Sequence, residues 1–353
     1  MACFRPVHVR FYVDAEGKKR IVWRSKLADW DWDTFYLEDM HPEKGIHDQL
    51  DVMKLPCSGC IGCRLEHSRQ WAVRAYHEAS VHEDNCFVTL TVNPDYLYRL
   101  FPKGSLSKEP ITKFLHRLRS KLRRGVKYLD FAYEEREYSR DNIRFFYAGE
   151  YGDKFGRPHY HVLLFGVDFP DKVFWKYING KPYYRSEILE SIWTDPVTKE
   201  SYGFSSIGAV TFESASYVAR YCLKKVTGKA AKDHYTKYDE VTGEKVKLMP
   251  EWSQASNRPG LGKPWLDRYG LSEVYPSDKC PYVSKEKYVQ GKPPRYYDKL
   301  CERANPALFE RVKALRLCKA DLNKHDTIYS RLLEKEEVEK ARLKNLVRVL
   351  ENS

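Results

Sequence analysis

The sequence predicts an α+β fold built on an antiparallel sheet. Residues 86–92 alternate as a strand, and residues 143–151 and 159–166 are apolar, β-prone runs joined by turn chemistry at Gly152-Asp-Lys-Phe-Gly-Arg-Pro158, which reads as a hairpin. Residues 64–82, 110–124 and 215–226 instead repeat their apolar positions at helical spacing. Strands interspersed with helices around a central hairpin are the pattern of an α+β domain.

The 353 residues are 42% apolar and 31% charged, the balance of a globular chain with ample core, and this length suits one large domain or two smaller ones. The formal charge of +12 implies a polyanionic partner, and 26 tyrosines beside basic side chains suit unpaired bases better than a lipid surface. No stretch is long and apolar enough to span a bilayer, and Met1-Ala2-Cys3-Phe4-Arg5-Pro6 lacks the apolar segment of a signal peptide. A cytoplasmic protein is therefore expected, with no membrane partner, and its nine cysteines should be reduced or metal-bound.

Up to about Pro56 the chain is rich in Trp and Asp with weak periodicity, and a cysteine cluster follows, Cys57-Ser-Gly-Cys60-Ile-Gly-Cys63. In the first helix Ala72, Ala75, Tyr76 and Ala79 share a face, and the strand after it is closed by Asn93-Pro94. The second helix carries the stripe Ile111, Phe114, Leu115, Leu118 and Leu122, with Lys113, Arg117, Lys121 and Arg124 off it as either a solvated face or a DNA contact. A strand is expected at 206–212, then a helix capped by Ser214 and ended by Gly228. Residues 229–294 are rich in Lys, Tyr, Pro and Gly, and 305–350 form a charged helical tail with the thin stripe Leu332, Val338, Leu343, Leu346 and Leu350. The expected divisions are a cysteine-containing segment 1–63, a core 64–228 and a basic extension 229–353 ending in helices.

His159 and His161 are two apart on a strand, so both project from one face. A hairpin turning symmetrically about Lys154 and Phe155 sets Glu150 opposite His159 on that face. Two imidazoles and a carboxylate would hold a divalent cation with positions left open, suited to a phosphate substrate. The same ligand types also build non-haem iron sites, so the ligands alone do not name a reaction.

Tyr217 and Tyr221 are four apart on the third helix and share a face, which Lys224 and Lys225 border. An ammonium nearby favours the phenolate and holds an attacked phosphate, although tyrosines at this spacing also serve as plain core-edge packing and Lys-Lys as a helix-end complement to the dipole. Arg220 and the loop Arg258-Pro-Gly-Leu-Gly-Lys263 add candidate DNA contacts.

These residues resemble a known family. His159-Tyr160-His161 before an apolar strand resembles the signature of the HUH endonucleases, with Tyr160 where that family carries an aliphatic residue. Phe87-Val-Thr-Leu-Thr91 is similar to that superfamily's first motif, and Tyr-Val-Ala-Arg-Tyr at 217–221 to the two-tyrosine motif of rolling-circle initiators. With Cys57-Ser-Gly-Cys-Ile-Gly-Cys-Arg64 before a Ser-Arg-Gln-Trp helix, the chain resembles the replication initiators of gokushovirus-type Microviridae phages. The resemblance implies an HUH-type antiparallel sheet flanked by helices, Mg²⁺ or Mn²⁺ at the histidines, and no small-molecule cofactor. It implies attack by a tyrosine on origin DNA, giving a 5′-phosphotyrosine and a free 3′-hydroxyl in the cytoplasm of a bacterial host. The host polymerase and helicase would be the partners, and the second tyrosine would act after a round of replication.

The two-residue spacings of Cys57, Cys60 and Cys63 fit a zinc knuckle, with Cys3, His8 or His67 as fourth ligand. Cys3 is preferred because the chain start lacks any other anchor; three small buried residues in a Gly-rich turn, or iron–sulfur ligation, are the other readings. Two rival functions stand beside the initiator. One is another HUH nickase, a single-tyrosine transposase or plasmid initiator, against which the tyrosine pair argues. The other is a non-catalytic zinc-containing DNA-binding protein, which has no need of histidines and a carboxylate on one face.

Overall fold

The computed structural model describes residues 3–13, 16–23, 52–123, 143–152, 155–226, 230–238 and 243–344. They form two compact units, Met1–Glu66 with Asp321–Leu346, and His67–Ala320.

In chain order, β1 (Val7–Val13), β2 (Lys19–Trp23) and β3 (Val52–Leu55) precede α1 (Ile61–Ala79) and β4 (Asn85–Leu90). Next come α2 (Pro94–Leu100), α3 (Glu109–Arg123), β5 (Arg144–Tyr151), β6 (Pro158–Phe165), β7 (Val173–Ile178), β8 (Lys181–Arg185) and α4 (Glu187–Ile192). β9 (Ser205–Gly208), α5 (Phe212–Lys224), α6 (Ala230–His234), β10 (Thr236–Tyr238), β11 (Lys245–Lys247) and β12 (Trp252–Ala255) follow. The remainder is α7 (Lys263–Val274), β13 (Cys280–Ser284), β14 (Lys287–Gly291), α8 (Arg295–Ala304), α9 (Pro306–Leu322) and α10 (Tyr329–Lys344).

In the first unit β1 lies between β2 and β3, antiparallel to both. α10 buries Leu332 and Glu336, and the Glu336 carboxylate accepts from Arg5 Nε at 2.8 Å. Of the expected stripe on this helix Leu332 is buried and Val338 is exposed, while Leu346 and Leu350 lie outside the described residues.

The second unit is organised by a seven-stranded sheet of order β12-β5-β6-β4-β9-β8-β7 with every neighbouring pair antiparallel. Alternation sends Val88, Leu90, Tyr147, Tyr160, Val162 and Leu164 to one face. There they pack with Ile111, Phe114, Leu115 and Leu118 of α3 and with Leu189 and Ile192 of α4. The opposite face carries Phe87, Phe146, Leu163 and Phe165 among Ala72 and Ala75 of α1 and Ala215, Val218 and Ala219 of α5. Short alanine side chains let both helices lie close to the strands. The carboxylate of Glu78 on α1 pairs with Arg144 of β5 and accepts from the Gly262 amide at 2.6 Å, so one buried charge ties α1, the central hairpin and the start of α7 together. Gly262 has φ +80°, and a Cβ there would meet the Tyr297 hydroxyl at 2.2 Å, so that position requires glycine.

Several element ends differ from expectation. α1 starts three residues earlier, immediately after the cysteine cluster, and ends at Ala79. The strand expected at 206–212 is β9, ending at Gly208. The cap of α5 is Thr211 rather than Ser214. The Ser214 amide donates to Thr211 Oγ1 at 3.2 Å and the Thr211 amide donates to Ser214 Oγ at 2.8 Å, a reciprocal box in which Ser214 takes the position usually held by Glu or Gln. α5 closes at Lys224, and Gly228 lies outside the described residues. On α3, Arg117 donates to the Thr194 carbonyl and Lys121 to Ser191, so both bind the protein itself; the Leu122 side chain and Arg124 lie outside the described residues. The hairpin β7–β8 and the edge strand β12 are additions to the sequence expectation. The hairpin signal is present as Asn179-Gly180, whose φ values of +52° and +75° are those of a type I′ turn.

Candidate active site

The β5–β6 ladder pairs Glu150 with His159 and Ala148 with His161, the register the symmetric hairpin predicts. Glu150 and His161 are buried at 2% and 5% exposure, and His159 is half-buried. Glu150 Oε1 faces His159 Nε2 and lies 2.9 Å from His161 Nε2. The three ligand atoms all fall within 4.8 Å of one another, close enough to share a cation.

The outer ring nitrogens strengthen that fit. His159 Nδ1 is 3.1 Å from the Arg157 carbonyl, which only accepts, so Nδ1 carries the proton there. His161 Nδ1 is 3.0 Å from Thr89 Oγ1 on the neighbouring strand β4. Metal-binding imidazoles are held in this way, with the second nitrogen engaged and the lone pair of the first aimed inward. Burial opposes ionisation of Glu150, but the two imidazoles outweigh it and hold its carboxyl well below the usual range. A hard oxygen with two imidazoles suits Mg²⁺ or Mn²⁺. Tyr160, between the histidines, points to the other face, where it is fully buried and its hydroxyl donates to the Ser107 carbonyl. Its phenol belongs to the core, which explains how an aromatic residue fits between the two histidines.

α5 brings Tyr217 to the same place. The Tyr217 ring is buried and meets the His161 ring edge-on, centroids 5.0 Å apart at 86°, with Phe87 6.3 Å away. Tyr221 lies one helical turn further along α5, and its side chain and that of Lys224 lie outside the described residues. Lys225 is exposed just past the helix end. Arg220 is half-buried, Nε donating to the Ser216 carbonyl at 3.4 Å. Arg258 stands exposed after β12, while Lys263 pairs with Asp267 one turn on in α7. Thr89 is the residue that motif reading missed: it lies within the strand that resembles the family's first motif, and its hydroxyl orients His161.

Cys3, Cys57, Cys60 and Cys63 form a second cluster, in the other unit, with every sulfur within 4.8 Å of the others. The Cys3 and Cys60 sulfurs are 3.8 Å apart, the edge of a tetrahedron with metal–sulfur bonds of about 2.3 Å. Backbone amides converge on the sulfurs, Phe4 N to Cys60 Sγ at 3.4 Å, Cys57 N to Cys3 Sγ at 3.3 Å and Cys60 N to Cys57 Sγ at 3.2 Å. These donors favour thiolates: burial raises the Cys60 thiol, yet the amides of Cys63 and Phe4 bring it down to about 7. Of the other fourth-ligand candidates, the His8 side chain lies outside the described residues and His67 accepts a bond from Trp71 at 3.2 Å.

Residues 85–226 match the family model for the replication-associated protein ORF2 type, a span holding the histidine pair, Glu150 and all of α5. The chain is similar to replication-associated protein VP4 of Bdellovibrio phage phiMH2K, 32% identical over 272 residues that make up 76% of this chain and 73% of the relative. It is 29% identical over 313 residues to replication-associated protein ORF2 of Spiroplasma virus 4, covering 86% and 81%. It is 32% identical over 197 residues to replication-associated protein ORF4 of Chlamydia phage 1, covering 54% and 42%. No solved structure matches the chain.

Proposed function

The chain belongs to the replication-associated proteins of gokushovirus-type Microviridae phages, and we propose that it starts replication by nicking one DNA strand at an origin through a tyrosine nucleophile. The observation that carries this reading is the meeting of Tyr217 with His161 at the point where Glu150, His159 and His161 gather. The seven-stranded sheet then serves as an HUH-type scaffold.

In the proposed step the Tyr217 phenol oxygen attacks phosphorus and the bond to the 3′ oxygen breaks. A 5′-phosphotyrosine and a 3′-hydroxyl result, the phenolic proton passing through solvent to the departing oxygen. A bound Mg²⁺ or Mn²⁺ would supply Lewis-acid withdrawal of charge from the non-bridging phosphate oxygens. Glu150 contributes a fixed negative charge, and Thr89 and the Arg157 carbonyl keep the imidazoles oriented. Lys224 and Lys225 favour the phenolate and balance the phosphate. Tyr221, four residues and about 6 Å of helix rise beyond Tyr217, is the second nucleophile and attacks the regenerated origin. The phosphotyrosine preserves the bond energy, so the same site rejoins strands. Arg220, Arg258 and Lys263 hold the phosphate backbone, Cys3, Cys57, Cys60 and Cys63 hold a structural zinc, and the freed 3′ end passes to the host polymerase and helicase in the bacterial cytoplasm. No helix among the described residues is long and apolar enough to cross a membrane.

The test is to incubate the protein with circular single-stranded DNA and Mn²⁺, then map the DNA-linked peptide by mass spectrometry. Tyr217→Phe and Tyr221→Phe should each form one adduct and fail at repeated cycles, and the double variant should form none. No adduct from the wild type with either Mn²⁺ or Mg²⁺, or an adduct persisting in the double variant, refutes the mechanism.

A further inference from the structure

We propose that the groove beside His161, on the β4–β9 side, holds one unpaired nucleobase of the DNA strand, stacked on Trp175 and Phe204. The placement next to a reacting phosphate rests on the nickase reading; the base site itself does not.

The groove encloses about 160 Å³, room for one base ring system and too little for a base pair. Thr89, Thr91 and Ser206 give it hydroxyls, Trp175 and Phe204 give it aromatic walls, and His161 closes it toward the candidate metal centre. Thr89 belongs to both places, lining the groove and bonding His161 Nδ1 at 3.0 Å. A base seated here thus fixes where its own phosphate lies with respect to the ligands.

Trp175 reaches the groove because β7 is irregular. Phe174 pairs with Tyr184 and Lys176 with Tyr183, leaving Trp175 as the extra residue of a bulge. A bulge breaks the alternation of side chains and re-aims one of them. The indole is 42% exposed and Phe204 63%, unusual for large apolar groups unless something covers them. Basic groups interleave with these rings: the Lys176 ammonium stands 4.3 Å from the Trp175 ring, and Lys181 begins the next strand. Aromatic faces with lysines between them are what a flexible single strand recognises, since bases stack and phosphates pair, and the chain's charge of +12 favours that polyanion. Hydroxyl floors donate to and accept from the edges that pairing leaves open in an unpaired base.

Binding is measured by fluorescence anisotropy with labelled dT12 in EDTA, where no cleavage occurs. Trp175→Ala should weaken binding about ten- to a hundredfold, the loss of one base–aromatic stack, with its salt dependence unchanged because no phosphate contact is removed. Trp175→Phe should stay within about threefold of wild type, since a stacking face remains. Val173→Ala, an exposed apolar residue of the same strand, should bind as wild type. Wild-type affinity in Trp175→Ala overturns the proposal, as does an equal loss in Val173→Ala. The same strands with Mn²⁺ separate the two readings. A Trp175-dependent affinity in a wild-type chain that forms no adduct sinks the nickase and leaves the base site standing. Adduct formation without Trp175 dependence does the reverse.

Discussion

Glu150 sits at 2% exposure with two imidazoles facing it, so the two histidines differ in what their removal leaves behind. His161 is buried, stacked at 5.7 Å on Phe87 and set against Tyr217, and its loss deprives a buried carboxylate of a donor. His161→Ala should cost about 1.5–3 kcal/mol of stability, the range for hydrogen bonds to charged groups. The His159 side chain is 18% exposed, and His159→Ala should leave the melting profile nearly unchanged. Both variants should nick at least about a hundredfold more slowly, the upper end of what even outer-sphere changes cost a metal site. Purified His159→Ala cutting at the wild-type rate would remove the ligand assignment. The Glu150 register is legible in the sequence because strand side chains alternate with a period of two and the turn fixes the pairing. The meeting of Tyr217 with His161 is not, since it depends on how α5 docks on the sheet through Ala215 and Ala219, a tertiary distance that no local pattern encodes.

Among the elements, α1 carries a titrating group into the core. His77 is 1% exposed, its ring stacked 3.7 Å from Trp265. Its Nε2 lies 2.7 Å from the Pro281 carbonyl and Nδ1 3.0 Å from the Tyr297 hydroxyl. The carbonyl accepts, so Nε2 carries the proton and the neutral Nδ1 accepts from Tyr297. Burial lowers its pKa to about 4 against the opposing pull of the Pro281 carbonyl. An unfolded imidazole takes its proton near pH 6.5. Below that pH the unfolded chain binds a proton that the folded one refuses until about pH 4. Stability should therefore be full above about pH 6.5, fall by up to about 3 kcal/mol on the way to pH 4, and show no further change from this group. Denaturant melts at pH 7.5 and 5 check the direction, and His77→Gln should flatten that part of the profile; an unchanged slope would assign it to other groups. Long helices and the central hairpin are readable because each buries one periodic face. β7 escapes because Val173, Phe174 and Tyr177 are all exposed, so no buried face marks the strand. At α5 the Ser-for-Glu box hides the true cap: Ser214 is the better known cap residue, but the backbone turns at Thr211.

For the molecule as a whole, the cysteine cluster makes a compositional prediction. The freshly purified protein should carry about one equivalent of zinc per chain, the load of a closed four-sulfur site. Cys60→Ser should lose most of it and destabilise the β1–β3 unit, because a metal bound only by the folded arrangement adds its affinity to folding. Elemental analysis finding no zinc in unchelated protein would leave the converging amides with thiols alone. The unit that holds these sulfurs also includes Asp321–Leu346, and residues 67–320 are interposed between its two parts. A ribosome thus delivers β1, β2, β3 and all four cysteines long before it delivers Glu336, the buried partner of Arg5. Joining segments this far apart adds little equilibrium cost, because closure entropy rises only by about 0.6 kcal/mol for each doubling of the loop. The cost is in time. The nascent amino-terminal part waits incomplete, its thiols open to any soft metal ion the host supplies, until synthesis has passed through α10.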